Sequence, residues 1–400
     1  MNIRSITGFM PLADPLPAQP LRALGDFIHA ARAEFERAGF PVQTARLATQ
    51  IFHASAPRDL VSFARALENA SQAHAINFVS LGALPGDHPL VPQLPAALAA
   101  TSNVFASAHI AARETGIDLR AITAAAQIIR ALADTTPDGF GNLRFAALAN
   151  VPALAPFFPA AHHDGGTPAF ALALEAAPLA GEAFAAACDL TQARANLIAA
   201  IERVCDPLAA RARDLATRFD FRFAGIDVSL APHPDMARSI GATIETLLGA
   251  EFGEHGTLFA AAFLTDCINR ARFPRIGFSG LMLPVLEDAI LGLRSPHYTL
   301  DSLLLYSTVC GTGLDTVPLP GDTTTGALAA ILLDLATLAH KLAKPLTARL
   351  MPLPGLRAGD PTHFDFEYFA NARVLPARAR ALKFFETDRQ IAFQAKAADA

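Results

Sequence analysis

The residues able to do chemistry in this chain sit in short strings at strand-like spacing. GIDVSLAP carries Asp227 and Ser229 two apart, VQTARLAT carries Thr44 and Arg46, VFASAHIA carries Ser107 and His109, and NIRSIT carries Asn2 and Arg4. Residues two apart on a strand share one face. If these strands border one space, Arg4 and Arg46 could hold an anionic substrate there while Asp227 moved a proton. Two guanidiniums, a carboxylate and an imidazole are costly to bury unless paired or hydrated. The pattern predicts a polar interior pocket, with solvent-facing strand ends the alternative for any one residue.

Other strings offer further groups. TVCGTGLDTV sets Cys310 before a Gly-Thr-Gly bend, which reads as an activated thiol, a weak phosphate loop or a packed turn, the last being the simplest. AAHHDGGTP supplies His162 and His163, whose side chains point apart in an extended segment, so either one could face a site. EHGTLF places His255 ahead of a helix, but EHGTLFAAAFLTD has no second histidine four residues on and fails as a zinc-protease helix. His233 lies at the carboxyl end of the Asp227 strand, where ligands of parallel α/β folds bind. Asp235 and the pair Glu287 and Asp288 suit helix starts.

These residues need a frame of alternating strands and helices. LRALGDFIHAARAEFERAG has a helical apolar stripe, and IDLRAITAAAQIIRALAD is a second helix, beginning near Asp118. NIRSITGF, VQTARLATQIF, INFVSLGAL, VFASAHIA, RFAALANV, PAFALALEA, FRFAGIDVSLAP, IGFSGLMLPV, LDTVPLP and LTARLMPL read as strands, mostly separated by helices. That alternation predicts a mostly parallel α/β sheet under helices, open and doubly wound or closed as a barrel. In GIDVSLAP, Ile226, Val228 and Leu230 form the apolar face expected against helices. Residues 1–376 are expected to form one domain and 377–400 a helical tail.

The 400 residues are 52% hydrophobic and only 17% charged, with a formal net charge of -5. Mild acidity without basic blocks points to a small-molecule ligand rather than nucleic acid or membrane, with a homo-oligomer left open. The apolar runs fall short of the ~20 residues of a spanning helix. MNIRSITGF lacks a signal core, so a cytoplasmic protein is expected. Cys188, Cys205, Cys267 and Cys310 are scattered without a CxxC, which argues against structural zinc and a disulfide framework. Nothing in the sequence specifies a cofactor.

NIRSIT, GIDVSLAPHP, GEHGTLFAAAFLTD, GFSGLMLPVLED, YSTVCGTGLDTVPLPGDTT and FDFEYFANARVL together resemble, in order and spacing, the uncharacterised "domain of unknown function 711" family over nearly the whole chain. The resemblance implies a ten-stranded α/β barrel similar to pyruvate formate-lyase and the anaerobic ribonucleotide reductases, with two five-stranded parallel halves set antiparallel. Positions matching the family motifs are Arg4, Arg46, His163, Asp227, Ser229, His255, Asp266, Ser279, Glu287, Asp288, Cys310, Asp315 and Asp322. Phe105 stands where relatives carry a cysteine, so a shared two-cysteine chemistry is not expected. Glycyl radical enzymes on this barrel carry a glycine near the C-terminus, and no glycine follows Gly359 here. The expectation is a non-radical enzyme acting on a small polar or anionic metabolite. Asp227, His163, His255 and Cys310 are its candidate catalytic groups; Arg4, Arg46, Ser229, Ser279 and Asp315 would bind substrate. The alternative is a ligand-binding or regulatory protein on the same barrel.

Overall fold

Strands in this chain are apolar on both faces or apolar with buried hydroxyls, and such strands need cover on both sides. The computed structural model describes residues 1–50, 57–86, 88–383 and 389–393. Its strands are β1 (Asn2–Phe9), β2 (Val42–Ala48), β3 (Phe78–Pro85), β4 (Val104–Ala112), β5 (Gly116–Asp118), β6 (Phe145–Ala149), β7 (Ala169–Glu175), β8 (Arg222–Asp227), β9 (Gly313–Pro320), β10 (Leu346–Leu353) and β11 (Gln390–Ile391). The main sheet runs in the order β8-β7-β1-β2-β3-β4-β6-β10-β9. β1, β2, β3, β4 and β6 are parallel neighbours, as are β7 with β8 and β9 with β10. The five-stranded parallel run meets the two two-stranded runs antiparallel, at β1/β7 and at β6/β10.

Helices cover one side of the sheet, and aspartates start several of them. Asp59 accepts from the amides of Val61 and Ser62, and Asp118 from those of Arg120 and Ala121, which fixes the starts of helices Leu60–Gln72 and Leu119–Thr135. Ile226, Val228 and Leu230 join the main apolar core with helix residues such as Leu197 and Ile201, as their shared parity predicts.

The other side of the sheet is filled by residues 150–164, a loop that folds back on itself where the Leu154 amide donates to the His162 carbonyl at 2.8 Å. A buried loop must find partners for its own backbone. The sheet supplies them: Thr7 Oγ1 donates to the Pro156 carbonyl at 3.0 Å, and Ser80 Oγ to the Ala161 carbonyl at 2.8 Å. Val151, Ala155, Phe157 and Ala160 of the loop pack with Ala173, Ala231, Phe278 and Met282 in a second apolar cluster. Two of the inward strand hydroxyls therefore serve this loop.

Two expectations are corrected. IGFSGLMLPV is not a regular strand; its backbone pairs at the isolated bridges Leu230↔Leu281 and Pro284↔Asp315, with Ile226↔Arg275 just before it. Gly277 (φ +66°) and Ser279 (φ +41°) break regular pairing there. The expected tail helix is also absent from the described residues of 377–400. Gln390–Ile391 instead pair antiparallel with the short strand β5, whose edge is otherwise open. Ile51 and Phe52, at the end of the expected VQTARLATQIF strand, lie outside the described residues. No helix among the described residues is long and apolar enough to cross a membrane.

Candidate functional site

One recess of about 950 Å³, counting its mouth, lies between the strand ends, the 150–164 loop and a covering segment with Phe366 and Tyr368. Arg4, Thr44, Arg46, Asp315, Thr347 and Arg349 line it, together with Glu287 and a set of aromatic side chains. Parity delivers these groups. Thr44 and Arg46 alternate with Ala45 and Leu47, and Thr347 and Arg349 with Ala348 and Leu350; the apolar partners lie in the main core. Arg4 arrives differently: the β1–β7 pairing shifts register between Ile3 and Ser5, and Ser5 lies inward as well, hydrogen-bonded to Thr7 at 3.1 Å.

Arg46 is the unusual member. It is 8% exposed, and its guanidinium sits over the rings of Phe158 and Phe78, 5.2 and 5.7 Å from their centroids. Its Nε donates to Thr44 Oγ1 at 2.9 Å, and that hydroxyl donates to the Arg4 carbonyl at 2.8 Å. Nη1 and Nη2 of Arg46 have no hydrogen-bond partner among the described residues. Burial, then the like charge of Arg4, lowers its pKa to about 9. It is still a cation at neutral pH.

The neighbouring charges are paired. Arg349 donates to Glu287 at 2.7 Å and to Asp315, and these two carboxylates hold the Arg349 guanidinium firmly protonated despite burial. Arg4 lies 3.4 Å from Glu287 and 3.5 Å from Glu175, and Glu175 also binds Arg238 at 3.1 Å. The pocket thus presents one buried cation without a counter-ion beside a neutralised cluster.

Asp227, Ser229 and Ser279 do not line this recess. Asp227 is fully buried and accepts from the amides of Phe278 and Ser279, both at 2.8 Å, and from Ser229 Oγ at 2.6 Å. Burial raises its pKa to about 6 against the pull of these donors. Ser279 Oγ donates to the Ile276 carbonyl at 3.0 Å and accepts from the Val228 amide at 3.3 Å. The trio braces the irregular 276–285 segment against the end of β8. Gly277 is required there, because a Cβ would stand 2.2 Å from Asp227 Oδ2.

The other candidates are dispersed. His163 is buried at the base of the 150–164 loop, with Nε2 donating to the Thr167 carbonyl at 3.4 Å and Nδ1 accepting from the Gly165 amide at 3.2 Å; burial lowers its pKa. His162 meets His109 ring-to-ring at 5.1 Å on the inner side of β4. His255 is exposed ahead of helix Thr257–Arg270. Cys310 is 1% exposed, and its Sγ accepts from the Gly313 amide at 3.4 Å. Its bend packs so closely on the 276–285 segment that a Cβ on Gly311 would stand 2.7 Å from the Gly280 Cα. The Gly-Thr-Gly string is a packed turn. Glu287 lines the recess, while Asp288 caps a helix, accepting from the Ile290 and Leu291 amides at 3.0 and 2.9 Å.

Sequence reasoning passed over Arg349 and Thr347, although LTARLMPL repeats the Thr-Ala-Arg string of VQTARLAT. It also passed over Tyr368, whose ring lies 6.0 Å from the Arg4 guanidinium carbon. Glu175, at the end of a wholly apolar strand string, gave no spacing signal.

The chain belongs to the family described as "Uncharacterised ACR (DUF711)", whose model matches residues 1–369. It is similar to proteins named "UPF0210 protein" from several microbes. The one from Syntrophotalea carbinolica is 30% identical over 364 residues, covering 84% of this chain and 80% of the relative. That of Methanococcoides burtonii is 29% identical over 352 residues, with 82% and 77% covered. That of Pyrobaculum islandicum is 29% identical over 394 residues, with 90% and 87% covered.

Proposed function

We propose that this protein binds a small anionic metabolite in the interior recess, with Arg46 as the anion receptor. The observation that carries the reading is the buried Arg46 guanidinium with two free nitrogens facing the recess, among groups that have already paired. Such a cation gains charge-assisted hydrogen bonds when a carboxylate or phosphate arrives. Arg4 and Asp315, expected at the substrate site, are part of the same lining.

The recess is best understood as the lumen of a ten-membered barrel. Support comes from β8 and β9, the two ends of the sheet order, which both bridge the stretch from Arg275 to Pro284. With that stretch as a tenth member, two parallel five-membered runs would enclose the 150–164 loop and the recess. Interior binding at barrel mouths is a common arrangement.

Non-radical catalysis is a second reading, favoured by Tyr368. Burial keeps its phenol protonated, as a donor beside the recess. Asp227 and Cys310 fit a catalytic part less well, since their polar atoms are engaged in the fold.

Calorimetric titration with acetate, sulfate and inorganic phosphate tests the anion reading. At least one is expected to bind at pH 7.5, and Arg46→Ala is expected to weaken it by about tenfold or more, the worth of a charged hydrogen bond. Equal affinities in the two proteins would remove Arg46 from the function.

A further inference from the structure

The same recess carries a statement about what kind of anion it takes, and it rests on the anion reading given above. Apart from its charged groups and three threonines, the lining is largely apolar. Phe105, Phe157, Phe278 and Met282 face the space beside Arg46, and Phe78 and Phe158 flank the guanidinium itself. Phe105 meets both flanking rings edge-on, at 5.4 and 5.3 Å, so aromatic walls continue from the cation into the pocket. A compact, fully hydrated ion such as phosphate would leave this wall unused and lose its water against it.

Charge sets the second condition. The ionised lining groups are the cations Arg4, Arg46 and Arg349 and the anions Glu287 and Asp315. Arg349 holds both anions, and Arg4 is shared between Glu287 and Glu175. Only the Arg46 charge is left over, so one negative charge neutralises the site. A second would be buried without a partner against phenylalanine rings, at high cost.

We infer that the ligand is an amphipathic monoanion, an aryl or arylalkyl carboxylate whose carboxylate pairs with Arg46 while its ring lies among Phe105, Phe157 and Phe278. Thr44 already orients Arg46 through Nε, which leaves the Nη1/Nη2 edge for the two carboxylate oxygens.

A matched set of probes tests this with the wild-type protein: phenylacetate, acetate, phenyl phosphate and phenylacetamide, titrated calorimetrically at pH 8. The chain has no tryptophan, so heat is a better signal than intrinsic fluorescence. Phenylacetate is expected to bind about 30- to 100-fold tighter than acetate, the effect of burying one ring. Phenyl phosphate, a dianion at this pH, is expected to bind at least about tenfold more weakly than phenylacetate, and phenylacetamide about 100-fold more weakly. Arg46→Met, shown to be folded by its thermal melt, is expected to lose the preference for phenylacetate over phenylacetamide. If acetate or inorganic phosphate binds as tightly as phenylacetate and does so through Arg46, the amphipathic inference is overturned while the anion reading stands. Tighter binding of phenyl phosphate overturns the monoanion assignment. If no anion binds, both readings fall.

Discussion

Arg46 is a buried charge with no carboxylate in ion-pair contact among the described residues. Desolvation costs a buried cation most when no carboxylate faces it, and here the partners are one hydroxyl and two ring faces. Its pKa is lowered to about 9, whereas the unfolded chain keeps an arginine protonated to much higher pH. The sign follows: the proton is held more weakly in the folded state, so the charge costs stability in full below about pH 9, and the cost fades only as pH rises from about 9 toward the unfolded chain's higher pKa. Replacing Arg46 with methionine, of similar length and able to lie between the same rings, is expected to raise folding stability by about 1–4 kcal/mol in urea denaturation. A destabilised variant would mean the guanidinium is structural after all. Binding has the opposite dependence on this proton. Anion affinity is expected to hold between pH 7 and 8 and to drop by about tenfold per unit above pH 9, when Arg46 becomes neutral. A flat profile from pH 7 to 10.5 would contradict that.

At the scale of elements, the 276–285 segment is the weak point that Asp227 secures. Both carboxylate oxygens accept from the segment's amides, and one also accepts from Ser229. Asparagine at 227 would turn an NH₂ toward one of those amide donors and leave two donors face to face. Asp227→Asn is expected to cost about 2–3 kcal/mol at pH 7, read from urea midpoints. The pKa, raised to about 6, gives a second signature. The folded state keeps this proton where the unfolded chain has lost it, so the group's contribution is greatest below about pH 4 and declines as pH rises to about 6. The variant's stability relative to wild type should therefore be least impaired near pH 6.5–7 and most impaired near pH 4; a difference constant with pH would show that the group does not titrate as described. Cys310 belongs to the neighbouring turn. Lys344 Nζ donates to the carbonyls of Ser307, Thr308 and Cys310, tying that turn to the start of β10. With its thiol buried, Cys310 should resist alkylation in the native protein while the exposed Cys188 reacts. Early labelling of Cys310 would reopen a reactive role.

At the scale of the molecule, what the sequence made legible was whatever depends on local period. Alternation found β2, β4 and β8 and put Thr44, Arg46 and Asp227 on the inward side. It could not separate a side chain lining a recess from one consumed in bracing. Arg46 and Asp227 have the same parity, and they differ only in whether irregular backbone from another part of the chain reaches them. The 150–164 loop is the clearest case. Its apolar run VPALAPFFPAA suits burial, but its place on the inner side of the sheet depends on hydroxyls that distant strands aim at its carbonyls, and those are not visible in local spacing. The 276–285 segment misled for a related reason: its apolar run suits a strand, while positive φ at Gly277 and Ser279 and the Asp227 carboxylate redirect its amides. Family resemblance marked Glu287 and Asp315, which period could not, without indicating that Arg349 would join them.

The central claim is that an anion belongs on the free edge of Arg46, inside the molecule. The most direct measurement is a crystal structure of the protein with 4-bromobenzoate, its bromine located by anomalous scattering. The account expects the carboxylate oxygens about 3 Å from Arg46 Nη1 and Nη2, with the bromine among the phenylalanines of the recess. Bromine found only at surface sites, with Arg46 still bonded to Thr44 alone, would contradict it.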